Sequence, residues 1–136
     1  MGDASQQAEK FSVDREEIIW AAGLWDGEGN SGFYGGKKKY CRTQITQKTP
    51  TVLHRFHRAV LGIGTIAGPY TYNGKTHYKW HAHGFPQCQA VFALLAQFLS
   101  PEKLDQFKRM LTAYHSRPAD RRFKKNRQQE VVPSLT

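Results

Sequence analysis

The stretch AAGLWDGEG at residues 21–29 is the part of the sequence that decides the fold. Ala21, Ala22 and Gly23 follow one another in the last turns of a predicted helix, although glycine inside a helix costs roughly 1 kcal/mol. Small side chains allow two helices to approach more closely than the usual ~8 to 10 Å between axes. The chain carries this stretch once and shows no internal repeat. We therefore predict a homodimer that packs through Ala21, Ala22, Gly23 and Trp25.

The same helix ends in two acidic residues, Asp26 and Glu28. The C-terminal end of a helix carries a partial negative charge, so carboxylates are electrostatically unfavourable there. A cation would offset this repulsion, and carboxylate oxygens are the ligands that hard divalent cations prefer. We therefore predict a divalent metal between two such helix ends, with Asp26 and Glu28 as its candidate ligands.

Charge is unevenly distributed along the chain. Not one Asp or Glu lies between Gly29 and Pro101, whereas nine Lys and Arg residues do, and the whole chain has a formal net charge of +9. An ordinary solvated surface mixes both signs, so a long acid-free stretch indicates a polyanionic partner. Nucleic acid is the leading candidate. Solubility alone is an alternative, and a lipid surface is disfavoured because no amphipathic basic helix leads the sequence.

Helices and strands are predicted from capping signals and hydrophobic period. Asp14 and Glu17 form a capping-box pattern before a helix over 15–25, and Asn73-Gly74 predicts a type I′ hairpin turn. The resulting order is αββαββα with an additional C-terminal helix, which is an α+β fold. The predicted strands are 33–38, 40–48, 66–72 and 75–83, and the later helices begin near Pro50, Pro86 and Pro101.

The stretch at residues 21–29 resembles the signature nonapeptide of the LAGLIDADG homing endonucleases, and the predicted order of elements is that of the family fold. Two further segments are similar to segments of the single-motif members: QITQKT at residues 44–49 and KLDQ at residues 103–106. The resemblance implies an antiparallel sheet saddle and a homodimer through the motif helices. It also implies a site-specific endonuclease that cleaves both strands of a long, roughly palindromic DNA duplex by divalent-metal-dependent hydrolysis.

The resemblance further implies roles for individual residues. Glu28 would bind the catalytic Mg²⁺ or Mn²⁺, and Asp26 corresponds to a structural acid that we keep as a second candidate ligand. Gln47 would order the solvent near the metal. Lys103 would polarise the attacking water or stabilise charge at phosphorus, with an ordinary surface lysine as the alternative. No arginine stands directly beyond the start of the second helix, so Arg55 is the candidate for the basic residue of the site.

Alternation along the strands predicts the side chains that contact DNA. Arginine pairs well with guanine and glutamine with adenine, whereas lysine more often contacts phosphate. Histidines 77, 81 and 83 form an alternative metal site, which their even spacing along a DNA-facing strand disfavours. The predicted DNA-binding residues are Lys37, Lys39, Arg42, Gln44, Thr46, Lys48, Tyr70, Tyr72, Lys75, His77, Lys79 and His81.

Three segments are expected along the chain: a flexible leader over 1–12, the endonuclease domain over 13–114 and a basic tail over 115–136. The tail either binds phosphate or is a plain solvated terminus. Cys41 and Cys88 are too few for a disulfide framework, so we expect buried thiols. No apolar run approaches the roughly 20 residues needed to cross a bilayer. We expect an intracellular protein without a membrane partner, in a bacterial or archaeal cytoplasm or in an organelle.

Two other classes of function stay open. The first is a LAGLIDADG-fold protein that binds nucleic acid without cleaving it, such as a maturase whose partner is intron RNA or a DNA-binding regulator. The joint presence of Glu28, Gln47 and Lys103 favours the endonuclease over this class. The second is a small basic RNA-binding protein of the ribosomal type, which explains the charge but not the sequence at residues 23–29. Incubation of the protein with duplex DNA and Mg²⁺ discriminates among the three.

Overall fold

The structure, a computed structural model, describes residues 13–35 and 39–117. The predicted leader, Lys37 and all but the first three residues of the predicted tail lie outside these ranges. The predicted order of elements is confirmed, including the additional C-terminal helix. The elements are α1 (Arg15–Glu28), β1 (Gly29–Tyr34), β2 (Tyr40–Gln47), α2 (Thr51–Ala59), β3 (Thr65–Tyr72), β4 (Lys75–His83), α3 (Phe85–Leu95), a short 3-10 helix (Ala96–Phe98) and α4 (Pro101–His115).

Helix α1 begins with a side-chain cap and runs to Glu28, three residues further than predicted. The Asp14 carboxylate accepts the backbone N–H groups of Glu16 and Glu17 at 3.0 and 3.3 Å, as a capping aspartate does. The predicted capping box is not closed, because the Glu17 carboxylate accepts two hydrogen bonds from Arg55 instead, at 3.0 and 2.7 Å. These bonds hold the pKa of Glu17 below its usual value.

The four strands form one antiparallel sheet in the order β1-β2-β4-β3. Along β2, Cys41, Thr43 and Ile45 are fully buried, whereas the residues between them keep solvent exposure. The buried set packs in one core with residues of the helices, so the helices cover one face of the sheet and leave the other open. At the hairpin tip, Asn73 and Gly74 both have positive φ, 51° and 74°, which confirms the predicted type I′ turn.

Trp25 lies at the centre of the core. Its ring stacks on Phe56 and Phe107, with ring centroids 5.9 and 5.1 Å apart, and meets Trp80 edge-on at 5.9 Å. Aromatic pairs of this kind contribute about 0.5 to 1.5 kcal/mol each beyond the burial of their surface. Because the three partners belong to α2, α4 and β4, Trp25 joins α1 to two helices and to the sheet.

Burial corrects most of the predicted dimer interface. Ala21, Ala22 and Trp25 are fully buried inside this subunit, so they have no surface to offer a second chain, and their assignment to the interface is wrong. The two alanines instead allow α1 to pack closely within its own core. Gly23 is exposed, and a side chain added there would meet nothing within 4 Å. Gly23 alone of the four stays a candidate for the interface.

Gly29 provides a test of the packing around Trp25. A Cβ atom at residue 29 would lie well inside contact distance of the Trp25 ring, and that ring is held by its aromatic neighbours. We expect Gly29→Ala to lower the free energy of unfolding by about 1 to 3 kcal/mol, the usual cost of overpacking. Urea denaturation measures this change. In a Trp25→Leu background the same substitution should cost clearly less, and equal costs in the two backgrounds would contradict the assigned contact.

Candidate metal centre and nucleic-acid interface

The junction between α1 and β1 borders an open cleft of about 330 Å³. Glu28, the last residue of α1, is exposed and lines this cleft together with Gln47, which ends β2. Two of the three predicted catalytic residues therefore come together from positions far apart in the sequence. The remaining lining residues are Thr46, Lys48, Thr49 and His77.

Asp26 has a different environment. Its carboxylate accepts the backbone N–H of Ser100 at 2.9 Å, and Ser100 is the N-cap of α4. Asp26 does not line the cleft that contains Glu28. The contact gives Asp26 the structural role that the resemblance implied, and the second predicted role, metal binding, receives no support from this position.

Lys103 lies beside the same junction but does not line the cleft. Its ammonium group donates a 2.5 Å hydrogen bond to the carbonyl oxygen of Gly29, the residue that follows Glu28. One turn further along α4, Gln106 donates to the Asn30 side chain at 3.0 Å and accepts the backbone N–H of Ser31 at 3.3 Å. Gln106 belongs to the KLDQ segment, and no role was predicted for it from the sequence.

Arg55 is not near the cleft. Its guanidinium group binds the carboxylate of Glu17 and lies over the ring of Trp20, 3.9 Å from the centroid. Both partners belong to α1, so Arg55 ties α2 to α1 at the protein surface. The expectation that Arg55 supplies the basic residue of the site is therefore wrong.

The donor set around Glu28 is small. Among residues 13–35 and 39–117, no group of three or more His, Cys, Asp or Glu side chains is arranged to hold a metal ion. A carboxylate at a solvent-filled cleft suits a hard divalent cation, which also accepts amide, main-chain and water oxygens as ligands. Glu28 therefore suits such a cation, and the other ligands would come from groups of those kinds, from a second subunit or from a bound phosphate.

The open face of the sheet carries the predicted DNA-binding side chains in adjacent pairs. The strand register places Arg42 opposite His83, Gln44 opposite His81 and Thr46 opposite Lys79. On the next strand, Tyr70 stacks on His77 with centroids 5.4 Å apart, and the Lys79 ammonium lies 5.9 Å from the Tyr70 ring centre. Because His77 and Thr46 also line the Glu28 cleft, this face is continuous with the candidate metal centre.

Two histidines at the far end of this face have lowered pKa values. Burial lowers the pKa of His81, and the positive charges near it, from His83, Arg42 and Lys79, lower it further. Burial and Arg42 lower the pKa of His83 in the same way. Nε of Arg42 and Nδ1 of His81 are buried without a hydrogen-bond partner among the described residues. Buried polar atoms usually have partners, so these two atoms are exceptions within the described part of the chain.

Contact with DNA stays a prediction for every member of the predicted DNA-binding set. The described members are all exposed or partly exposed: Lys39, Arg42, Gln44, Thr46, Lys48, Tyr70, Tyr72, Lys75, His77, Lys79 and His81.

Cys41 and Cys88 are buried free thiols, as expected, and burial raises the pKa of Cys88 to about 11. No helix in the described part of the chain is long and apolar enough to cross a membrane.

Comparison by sequence gives no match to a family model and none to a curated protein. Comparison by structure gives several. The homing endonuclease I-CvuI, solved with its DNA target, matches with a TM-score of 0.59 at 19% identity over 72% of this chain and 65% of that chain. The chain thus spans slightly less than two thirds of I-CvuI.

Two intron-encoded homing endonucleases, both solved in complex with DNA, match in the same way. The archaeal I-Vdi141I gives a TM-score of 0.60 at 18% identity, over 74% of this chain and 70% of that chain. The group I intron-encoded I-CeuI gives 0.59 at 16% identity, over 85% and 70%. The TM-scores establish the architecture, whereas identities this low leave the chemistry open. The chain therefore has the fold of the LAGLIDADG homing endonucleases.

Proposed function

We propose that this protein is a site-specific DNA endonuclease that cleaves both strands of a long, roughly palindromic duplex by divalent-metal-dependent hydrolysis. The observation that carries the proposal is the placement of Glu28 and Gln47 in one cleft. This cleft is continuous with an open sheet face, and all four strands of that sheet lie within the acid-free stretch of the sequence. A carboxylate at the edge of a basic surface would provide a cation site beside the path of a phosphate backbone.

Glu28 is the residue that would hold the cation, Mg²⁺ or Mn²⁺. When bound, such a cation supplies a hydroxide at neutral pH and neutralises the charge that develops at phosphorus. The Gln47 side chain, beside Glu28, both donates and accepts hydrogen bonds, which suits it to orient a water molecule in the cleft. Arg42, Gln44 and Lys79 on the open face would hold the duplex across the cleft, the first two through base edges and the third through phosphate.

Cleavage of both strands requires two such sites, so we propose a homodimer with one Glu28 from each subunit. The exposed side of α1 is suited to this contact. Ile19 is 41% exposed, and Gly23 and Gly27 follow it at intervals of four residues with open space above both. Residues four apart lie on one side of a helix. This side would bring two helix ends, and therefore two Glu28 carboxylates, close to the dimer axis.

A nucleic-acid-binding protein that does not cleave is the second candidate. It would use the same sheet face, on DNA as a regulator or on intron RNA as a maturase. One observation favours it: the ammonium of Lys103 is bound to a main-chain carbonyl instead of facing the cleft. The two candidates differ in a single measurement, the formation of cut duplex in the presence of Mg²⁺.

Replacement of Glu28 by glutamine separates binding from cleavage. Glutamine keeps the size of the side chain but removes the charge that holds the cation. We expect cleavage of a duplex target library in Mg²⁺ to fall by several orders of magnitude, since metal activation supplies several kcal/mol. Binding of the same DNA in Ca²⁺ should persist. Glu16→Gln, an exposed change at the opposite end of α1, is the matched control, and an unchanged cleavage rate in Glu28→Gln would refute the proposed site.

The salt dependence of DNA binding tests the open sheet face. Each phosphate contact that is lost reduces the slope of log affinity against log salt by about 0.9. We expect Lys79→Ala to reduce the slope by about this amount and Lys108→Ala, on the exposed surface of α4, to leave it unchanged. Fluorescence anisotropy of a labelled duplex between low and moderate salt measures both slopes. Equal slopes for the two variants would place the phosphate contacts elsewhere.

The proposed dimer contact is tested at Gly23. A leucine side chain fits there without a clash inside the subunit, because nothing lies within 4 Å of the added Cβ. Gly23→Leu should therefore fold normally but force two α1 helices apart, so we expect a monomer by sedimentation equilibrium at concentrations where the unmodified protein is a dimer. Glu16→Leu adds a similar side chain at the start of α1 and should not dissociate the dimer. A Gly23→Leu protein with unchanged dimer affinity would exclude this side of the helix.

A further inference from the structure

A connected set of hydrogen bonds joins the end of α1 and the start of β1 to helix α4. We call it the junction clamp, and it consists of the side chains of Asp26, Lys103 and Gln106 with their partners. Asp26 accepts the N–H of Ser100 at 2.9 Å. The other contacts, from Lys103 to Gly29 and from Gln106 to Asn30 and Ser31, measure 2.5 to 3.3 Å. Backbone or side-chain groups on both sides of Glu28 are therefore held by one helix.

The clamp satisfies main-chain groups that the sheet does not. Strand β1 is an edge strand with β2 as its single neighbour in the sheet. An edge strand presents unpaired N–H and C=O groups along its free side. Lys103 and Gln106 bind a carbonyl and an N–H of this kind, at Gly29 and Ser31. These two contacts fix the position of β1 where it leaves α1.

The clamp also supplies positive charge where α1 ends. The last turn of α1 contains no basic residue, although the end of a helix carries partial negative charge. The ammonium of Lys103 lies against the carbonyl of the residue that follows the helix. Asp26 and Glu28 at this helix end need a nearby positive charge, and within a single subunit Lys103 supplies part of it.

We infer that Lys103 and Gln106 are positioning residues, which hold the backbone from Gly29 to Ser31 and thereby direct the Glu28 carboxylate into its cleft. The inference rests on the proposed function in one respect, namely that Glu28 binds a metal ion. The contacts that hold the backbone beside Glu28 are observed in the structure. Glu28 is exposed, so the direction of its side chain depends on the backbone that carries it. A residue that orients a metal ligand typically changes metal affinity about 10- to 100-fold when it is removed.

The test compares Lys103→Met and Gln106→Met, separately and together, with Lys108→Met on the exposed surface of α4 as the matched control. Mn²⁺ titrated into each purified protein, followed by electron paramagnetic resonance, measures metal affinity without any cleavage. We expect about a 10-fold loss for each single variant and a loss in the double variant that is smaller than the product of the two. Lys103→Arg, which can still donate to the Gly29 carbonyl, should recover most of the affinity.

Cleavage of a duplex target library adds a second measurement. A positioning role predicts that saturating Mg²⁺ restores most of the rate in both single variants. Unchanged Mn²⁺ affinity in Gln106→Met, or loss of cleavage in Lys103→Met at saturating Mg²⁺ with normal Mn²⁺ affinity, would overturn the inference. If Lys103→Met fails to fold, Gln106→Met and Lys103→Arg decide the question. If the unmodified protein cleaves no DNA, the proposed function fails, and the Mn²⁺ titrations still support or overturn the clamp.

Discussion

The contact between the Trp25 ring and the backbone of Gly29 is the constraint on which the rest of the structure depends. The ring occupies the space that any side chain at residue 29 would need, so the chain passes from α1 directly into β1 without a linker. The same ring stacks between Phe56 and Phe107. A single aromatic residue thus fixes the helix on the sheet and fixes where the helix ends. The position of Glu28, the last residue of α1, follows from that packing.

Local signals in the sequence were sufficient for most of the fold. The Asn73-Gly74 turn gave the bounds of β4 correctly, because positive φ at two successive residues is a property of those residue types. Strand β1 was placed four residues too late. Its first four residues, Gly29 to Gly32, have little preference for strands. They are extended because they pair with β2, where Gly29 lies opposite Ile45 and Ser31 lies opposite Thr43. That pairing is a tertiary contact, which local preferences do not contain.

The dimer interface shows a different limit. Small residues in a helix indicate a close approach, but they do not say which neighbour approaches. Residues 21, 22 and 25 share the side of α1 that faces its own core, whereas residues 19, 23 and 27 share the opposite side. The residue type of Trp25 did not decide the question, since large aromatic side chains are common both in cores and at interfaces. Gly23 and Gly27, in contrast, lie on the exposed side of the helix with open space above them.

Residue types suggested the candidate site, but they did not give its arrangement. Glu28 and Gln47 were predicted to share a site, and both line one cleft. The environment of Asp26 and Lys103, in contrast, depends on contacts with residues 74 positions away. Those contacts answer the electrostatic problem that the sequence posed. The negative end of α1 meets the positive N-terminal end of α4 through the bond from Ser100 to Asp26, and Lys103 adds a full positive charge one residue beyond Glu28. With part of that charge balanced inside the subunit, the Glu28 carboxylate faces solvent, where the proposed cation would bind.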